Sequence, residues 1–383
     1  MSKLTIYFLL LAVFASPFVA TTEIWAGELD AIQPDLPYQV VRVDPIQHEV
    51  DFSVVVTPPY HCKVLRVWLP LPQSDVAQEI SGSRLMTFPM EVQPQIGVES
   101  TYGNKFAYFE FHDPQGAQVV RHRFKARVWE LQWDLDPAKV VAVPEWPSSF
   151  DAYMRPQQVS DQAEFAKTIE TIVPKATDPA DDLFQAMNWI DQNLTYDHVN
   201  ASLQADADHA FSQRRGHCSD YHGLCATMGR AMGQPTRVTY GLALYPKNSP
   251  SHCKMEAFLP PYGWVSFDIS ETQKLIKKIG DDEQLSDADK ANLTELARQR
   301  LHRGFRENSW LLVTKGTDYD LAPKAEAGPV RVVRTIYAEA DGEALPEPDP
   351  ANINQRAFAW MTVHKYVSDK PVRLPFKDVS TLR

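Results

Sequence analysis

The sequence predicts an α+β protein in which an antiparallel β-sandwich domain precedes a domain of helices followed by strands. Between about residues 38 and 135, apolar and polar residues alternate with a period of two, which is typical of half-buried strands. A Pro-rich connector follows at about 137–156. Beyond it the apolar period becomes that of helices before short strands return, a succession that indicates α+β architecture.

The composition is that of a folded protein of two or three domains, and it excludes two classes of partner. The 383 residues are 44% hydrophobic, and 29 Pro against 16 Gly favours short strands and extended connections. The 38 Lys and Arg against 49 Asp and Glu leave a net charge of −11. A chain this acidic lacks the basic surface that binds nucleic acid or anionic lipid, so we expect neither partner.

Residues 1–26 are predicted to be a secretory signal peptide. Lys3 precedes an apolar run from Leu4 to Phe14, and the small residues Ala15, Ala20 and Ala26 offer cleavage sites. An uncleaved anchor is the alternative, although the run is shorter than the ~20 residues that span a bilayer. We expect an exported protein, periplasmic or extracellular, with no stable membrane insertion after cleavage.

The N-terminal β-sandwich domain is predicted over residues 30–137. Its clearest strand has apolar side chains at alternate positions, which puts them mainly on one face, and turn residues such as Pro58-Pro59 separate the strands. Several short strands at this spacing favour a sandwich. The predicted strands are His48–Thr57, Val64–Leu71, Asn104–His112 and Val119–Leu131.

The second domain is predicted over residues 157–340, and the sequence assigns no role to the C-terminal extension 341–383. Asp178 followed by Pro179 is typical of a helix start, with an N-cap and then Pro at the first helical position. The predicted helices are Ser160–Ile172 (capped by Ser160), Asp178–Leu194, Cys218–Met232 and Leu285–Arg303. The predicted strands are Thr236–Tyr245, Cys253–Leu259 and Gly263–Ile269, with further short strands within Trp310–Tyr337.

Cys218 is the strongest candidate for a reactive side chain. It stands at the start of a predicted helix, where the macrodipole and free backbone amides favour a thiolate. His252 begins a predicted strand, and Asp268 ends the next one after the turn at Pro260–Gly263. Adjacent antiparallel strands can bring these two side by side, so that the Asp orients the imidazole and the His activates the thiol. From spacing alone, however, a buried cysteine that only packs in the core is the commoner outcome.

Three sequence blocks then resemble the core of the transglutaminase-like superfamily. They are RGHCSDY at 215–221, RAMGQPTR at 230–237 and HCKMEAFLPPYGWVSFD at 252–268. The family pattern is G-x-C, then R-A-x-G-I-P-A-R, then H-A-W-x-E-x-x-x-P-x-Y-G-W-x-x-x-D, in the same order. The resemblance covers residues 181–268 most firmly and extends more weakly to segments 67–72 and 316–323.

The resemblance implies a papain-like α+β fold with a Cys-His-Asp triad formed by Cys218, His252 and Asp268. It implies chemistry on the amide or peptide bonds of a protein or peptide substrate through an acyl-thioester on the cysteine. It implies no cofactor and no metal. The Cys218 backbone N–H at the helix start is the expected first oxyanion donor, and the second is not identifiable from the sequence.

The sequence departs from the family pattern at two positions. Gln234 replaces Ile in a loop. Lys254 replaces Trp two residues after His252, on the same strand face. A cation there could oppose imidazolium formation, hold an anionic group of the substrate, or point into solvent; we favour the solvent interpretation.

The remaining cysteines and histidines are expected to have structural or solvated roles. With Cys218 free, at most one disulfide joins two of Cys62, Cys225 and Cys253, and none is required. Strand alternation puts Cys253 on the opposite face from His252, which disfavours a bridge to the helix. No metal-binding spacing connects the remaining acidic and histidine candidates: His217, His222, Asp206, Asp208 and His209.

Two classes of function follow. The first is a Cys-His-Asp acyl-transfer enzyme, a protease or amidase in preference to an amine transferase because the chain has an export signal and no calcium-site motif. The alternative is a catalytically silent module that binds or assembles extracellular proteins. The sequence leaves open the substrate and the oligomeric state.

Overall fold

The computed structural model describes residues 32–35, 39–175, 178–247, 249–349 and 358–382. The predicted signal peptide, residues 1–26, lies outside these ranges. Helices make up 27% and strands 34%, which confirms a mixed α+β fold. Within the described ranges, no helix is both long enough and apolar enough to cross a membrane. All the elements below belong to the unit Gln33–Arg383.

The N-terminal part supplies most of two antiparallel sheets. Its strands are β1 (Val41–Val56), β2 (Val64–Leu71), β3 (Gln78–Phe88), β4 (Gln95–Val98), β5 (Lys105–His112) and β6 (Gln118–Gln132). β1, β3 and β6 lie in one sheet, and β2, β4 and β5 in the other. In β6 the alternate residues Val120, Phe124 and Ala126 are buried, which confirms the predicted period of two. They share one core with Leu65 and Phe109 of the other sheet, as in a sandwich.

The following region consists mainly of helices and begins at α1 (Asp151–Met154). It contains α2 (Gln162–Ile172), α3 (Pro179–Asn193), β7 (Thr195–Tyr196), α4 (Ala207–Gln213), β8 (Arg215–Gly216) and α5 (Cys218–Ala231). The predicted cap of α3 is confirmed, since the Asp178 side chain accepts from Ala180 N at 2.9 Å. The predicted cap of α2 is wrong. Asp161 accepts from Glu164 N there, whereas the Ser160 hydroxyl donates to Asp208 at 2.7 Å.

A four-stranded sheet of order β11-β10-β9-β13 packs against α5. Its strands are β9 (Thr236–Ala243), β10 (Ser251–Leu259), β11 (Gly263–Phe267) and, after α6 (Ile269–Asp281), α7 (Asp287–His302) and β12 (Phe305–Arg306), β13 (Trp310–Lys315). The predicted strand to Ile269 is two residues too long, and α6 was not predicted. β11 ends because Asp268 caps α6, accepting from Glu271 N at 3.1 Å.

Late strands complete the two N-terminal sheets. They are β14 (Tyr337–Ala340), β15 (Glu343–Ala344) and β16 (Trp360–Ser368). β14 pairs with β2, while β16 pairs along β1 from Val56 to His48. The C-terminal extension therefore covers an edge strand of the first sheet, which would otherwise leave backbone hydrogen-bonding groups unpaired.

Candidate active site

Cys218 is held at the first position of α5 by a reciprocal cap. The His217 side chain accepts from Ser219 N at 3.2 Å, and the Asp220 carboxylate accepts from His217 N at 3.0 Å. Gly216 has a φ of +152°, and a Cβ on it would overlap the Asp220 carboxylate. This explains physically why glycine stands two residues before the cysteine.

His252 and Asp268 lie side by side, as their positions on neighbouring strands predict. β10 and β11 pair antiparallel, with Met255 opposite Phe267, and His252 Nε2 lies 2.7 Å from Asp268 Oδ2. Nδ1 is the ring nitrogen that this leaves for the thiol. Cys218 and His252 line the same cavity, whose volume is about 370 Å³.

The charges around Cys218 favour a thiolate and an imidazolium. A hydrogen bond from the Cys253 thiol, opposed by burial and helped by His217 and His252, holds the pKa of Cys218 well below its usual range. Burial would lower the pKa of His252, but the charges of Asp268 and the Cys218 thiolate outweigh it and raise that pKa to about 9. The two groups therefore stabilise each other's charged forms.

No disulfide joins Cys253 to the helix, as expected, but the reason given from strand alternation is wrong because Cys253 faces α5. Cys253 shares a core with Met255 and Ala257 on the face of β10 that α5 covers. Its Sγ lies 3.4 Å from Nδ1 of His222, a residue of α5. The expectation assumed that the helix covers the face of His252, whereas His252 reaches the helix start from the beginning of the strand.

His222 is a buried neutral histidine behind the thiols. Its Nε2 accepts from Ile269 N at 3.1 Å, so Nδ1 carries the hydrogen that faces Cys253. Burial, partly offset by Asp268, lowers the pKa of His222 to about 4. Its role is therefore to fix the positions of Cys253 and the start of α6.

Lys254 does not point into solvent, so the interpretation favoured from sequence is wrong. Its side chain is fully buried, with Nζ 2.6 Å from Asp268 Oδ2 and 2.9 Å from Glu307 Oε2. Burial would lower the pKa of Lys254, but Asp268 and Glu307 outweigh it and raise that pKa. His252 and Lys254 therefore share one carboxylate oxygen, and a second acid neutralises the lysine.

The C-terminal extension closes this buried cluster. The Phe376 ring lies 4.9 Å from Lys254 Nζ and the same distance from the Arg300 guanidinium. Arg300 in turn donates to the Pro375 carbonyl at 2.9 Å. An aromatic face above a desolvated lysine is a favourable cation–π arrangement.

The other residues singled out in the sequence form neither a metal site nor a disulfide among the described residues. Asp206 caps α4 through Asp208 N and His209 N, and His209 contacts the Asn200 carbonyl at 3.0 Å. All four cysteines are free thiols. Among the described residues, no group of three or more His, Cys, Asp or Glu has a geometry that could hold a metal ion.

The comparisons with known proteins agree with this architecture. Residues 166–269 match the family model described as the transglutaminase-like superfamily. That segment is a transglutaminase-like core. It contains Cys218, His252 and Asp268, and the elements from α2 to the start of α6 build it.

Whole-chain similarities extend beyond the transglutaminase-like core. An uncharacterized protein of Haemophilus influenzae is 24% identical over 332 residues, covering 74% of this chain and 83% of that protein. The crystal structure of a protein of Cytophaga hutchinsonii, provisionally assigned as a cysteine protease, matches with a TM-score of 0.59 at 13% identity. It covers 90% of this chain and 98% of that chain, and at this identity the likeness concerns the fold alone.

Sequence reasoning missed Cys253 and Tyr240, which line the cavity with Cys218, and Glu307, which pairs with Lys254. For Cys253 a signal existed: Met255 and Ala257 mark the helix-covered face of its strand. Glu307 lies outside the three motif blocks and meets Lys254 only through the tertiary fold.

Proposed function

We propose that this protein is a cysteine acyl-transfer enzyme that cleaves amide or peptide bonds through an acyl-thioester on Cys218. The observation that carries the proposal is one shared cavity, lined by a thiol at a helix start and by a histidine whose Nε2 bonds a buried carboxylate. Nucleophile, base and orienting group in this order are the components of cysteine acyl transfer.

In the proposed mechanism, Cys218 Sγ attacks the scissile carbonyl as a thiolate. The C–S bond forms, and the carbonyl π electrons move to oxygen, where the Cys218 N–H at the start of α5 donates a hydrogen bond. His252 donates its Nδ1 proton to the leaving nitrogen as the C–N bond breaks. Water, deprotonated by the then neutral His252, attacks the thioester carbonyl; the C–O bond forms, the C–S bond breaks, and the acid leaves with the Cys218 thiolate and the His252 imidazolium restored.

We propose that water is the acyl acceptor and that the substrate is an exported peptide or protein, in line with the predicted signal peptide. An experiment in which an added amine competes with water distinguishes hydrolysis from transfer. With hydroxylamine added as a competing amine, a hydrolase forms mostly free acid, whereas a transferase forms mostly hydroxamate.

The decisive test is the alkylation rate of Cys218 by iodoacetamide as a function of pH, localised by mass spectrometry. We expect fast reaction already at pH 6, because the pKa of Cys218 lies well below its usual range. His252→Ala removes a charge that favours the thiolate and should move the rise in rate toward pH about 8.5, the value of a free thiol.

A control variant and a second pH profile make this test specific. His112→Ala changes an exposed histidine that does not line the cavity and should leave the profile unaltered. Amide turnover, unlike alkylation, should also fall above pH 9, where His252 loses the proton that the leaving amine needs. Ordinary Cys218 reactivity that is insensitive to His252→Ala would instead favour a silent binding module.

A further inference from the structure

The cavity beside Cys218 has an excess of positive charge, although the chain as a whole carries −11. Of the described residues that line it, Lys247, Lys274 and Arg334 are cationic, and Glu271 is the one carboxylate. The thiolate of Cys218 and the imidazolium of His252 cancel each other. The three cations therefore outnumber the single carboxylate of the lining by two, and Glu347, outside the lining, neutralises one of them, Arg334.

Lys247 differs from the other two cations because it has no fixed counter-ion. Lys274 Nζ lies 2.8 Å from Glu271, and Arg334 Nε lies 2.8 Å from Glu347. Among the described residues, no carboxylate lies within 4.0 Å of Lys247 Nζ, and the Tyr245 ring centre is 5.9 Å away. Burial, opposed by the Cys218 thiolate and Glu271 and reinforced by Lys274 and Lys377, lowers the pKa of Lys247.

We propose that Lys247 binds a carboxylate of the substrate, so that the preferred substrate is an acidic peptide whose anionic group lies beside the scissile bond. This inference rests on the proposed function. A partly desolvated ammonium without a counter-ion gains most from a ligand that supplies one, and an anionic ligand would also be drawn in by the excess positive charge.

The test compares two alkylating reagents of similar size, anionic iodoacetate and neutral iodoacetamide, on Cys218. The measured quantity is the ratio of the two rates. Lys247→Gln should lower the ratio about fivefold at low salt, as expected for one charge several ångströms from the reagent at intermediate dielectric. Lys247→Arg should preserve the ratio. Lys277→Gln, which removes an exposed lysine of α6, is the matched control and should not change it.

The outcomes separate this inference from the function on which it rests. If Cys218 reacts fast but the ratio is the same in Lys247→Gln, the function stands and the carboxylate site is wrong. If Cys218 reacts slowly with both reagents, both proposals fail. Protection of Cys218 by acetyl-Ala-Glu-Ala-amide would indicate a side-chain carboxylate, and protection by acetyl-Ala-Gln-Ala would indicate a free C-terminus. Equal protection by uncharged acetyl-Ala-Gln-Ala-amide would overturn the inference.

A second feature of the cavity is the hydroxyl of Tyr240. This side chain is 2% exposed and lines the cavity from β9, directly opposite Cys253 in the strand register. Its Oη is buried and has no hydrogen-bond partner among the described residues. A buried hydroxyl without a partner is costly, so a group that occupies the cavity is the natural acceptor.

We infer independently that Tyr240 Oη donates to the oxyanion that forms when Cys218 attacks, together with the Cys218 N–H. Tyr240→Phe should slow acetylation of Cys218 by p-nitrophenyl acetate about a hundredfold, the usual effect of losing one oxyanion donor. Alkylation by iodoacetamide is a displacement with no oxyanion, and its rate should stay within about twofold.

The matched control is Tyr366→Phe, which removes another unpartnered buried hydroxyl outside the cavity. It should change neither rate. An equal fall of both rates in Tyr240→Phe would indicate a structural role, and an unchanged acetylation rate would exclude the donor. Either result overturns the inference.

Discussion

Replacing Asp268 with asparagine should lower amide turnover by about 10⁴-fold, the loss caused by the same change in a Ser-His-Asp triad. Asp268 Oδ2 holds His252 Nε2 at 2.7 Å, and its charge is the largest influence that raises the pKa of His252 to about 9. An amide cannot carry that charge. His252 then loses its proton at lower pH and can no longer protonate the leaving amine.

A pH profile distinguishes this effect from simple misfolding. In Asp268→Asn the alkaline limb of amide turnover should move from about pH 9 to a lower pH, measured per folded molecule. Asp191→Asn, a change at a half-buried carboxylate of α3 outside the cavity, should leave the limb in place. Turnover within tenfold of the wild type would remove Asp268 from the proposed mechanism.

Lys254→Met should produce the largest loss of stability, about 3–5 kcal/mol in the free energy of unfolding at pH 7. Methionine fills similar space, but it leaves the carboxylates of Asp268 and Glu307 buried without the ammonium between them. Removing one partner of a buried ion pair leaves an uncompensated charge, which costs far more than the pair itself contributes. Urea titration of both proteins measures the difference.

The sign of the pH dependence is fixed by the same charges. In the wild type, Lys254 and His252 outweigh burial and lower the pKa of Asp268, so this group stabilises the fold above its unfolded pKa of about 4 and loses that effect as pH falls. In Lys254→Met the burial that raises this pKa is opposed mainly by His252, with smaller contributions from His222 and the Glu271 N–H. The difference in the free energy of unfolding between Lys254→Met and the wild type should therefore become smaller as pH falls toward 4.

Two further variants test whether the loss of stability in Lys254→Met comes from the buried cluster of Lys254, Asp268 and Glu307. Lys254→Met combined with Glu307→Gln removes one of the two carboxylate charges and should recover part of the lost stability. Lys277→Met changes a lysine that is exposed on α6 and should cost less than about 0.5 kcal/mol. A Lys254→Met protein as stable as Lys277→Met would show that the cluster contributes nothing.

Single strands and helix starts were predictable because the alternation of apolar residues and the capping side chains that define them lie within a few residues of each other. Val64–Leu71 is observed as β2 with the predicted ends, and the cap at Asp178 starts α3 as expected. At Ser160 and at Ile269 the prediction missed a capping aspartate. Asp161 caps α2 because Ser160 bonds Asp208 instead, and Asp268 ends β11 by capping a helix that was not predicted.

The sequence by itself determined the α+β class, the transglutaminase-like core and the candidate residues Cys218, His252 and Asp268, because periodicity and motif spacing are local properties of a chain. The tertiary structure alone decided the surroundings of these residues. The burial of Lys254 depends on Glu307 and Phe376, and the first sheet is completed by β16 from the C-terminal extension. Such contacts join residues far apart in sequence, so their charge balance and burial follow from packing rather than from any local pattern.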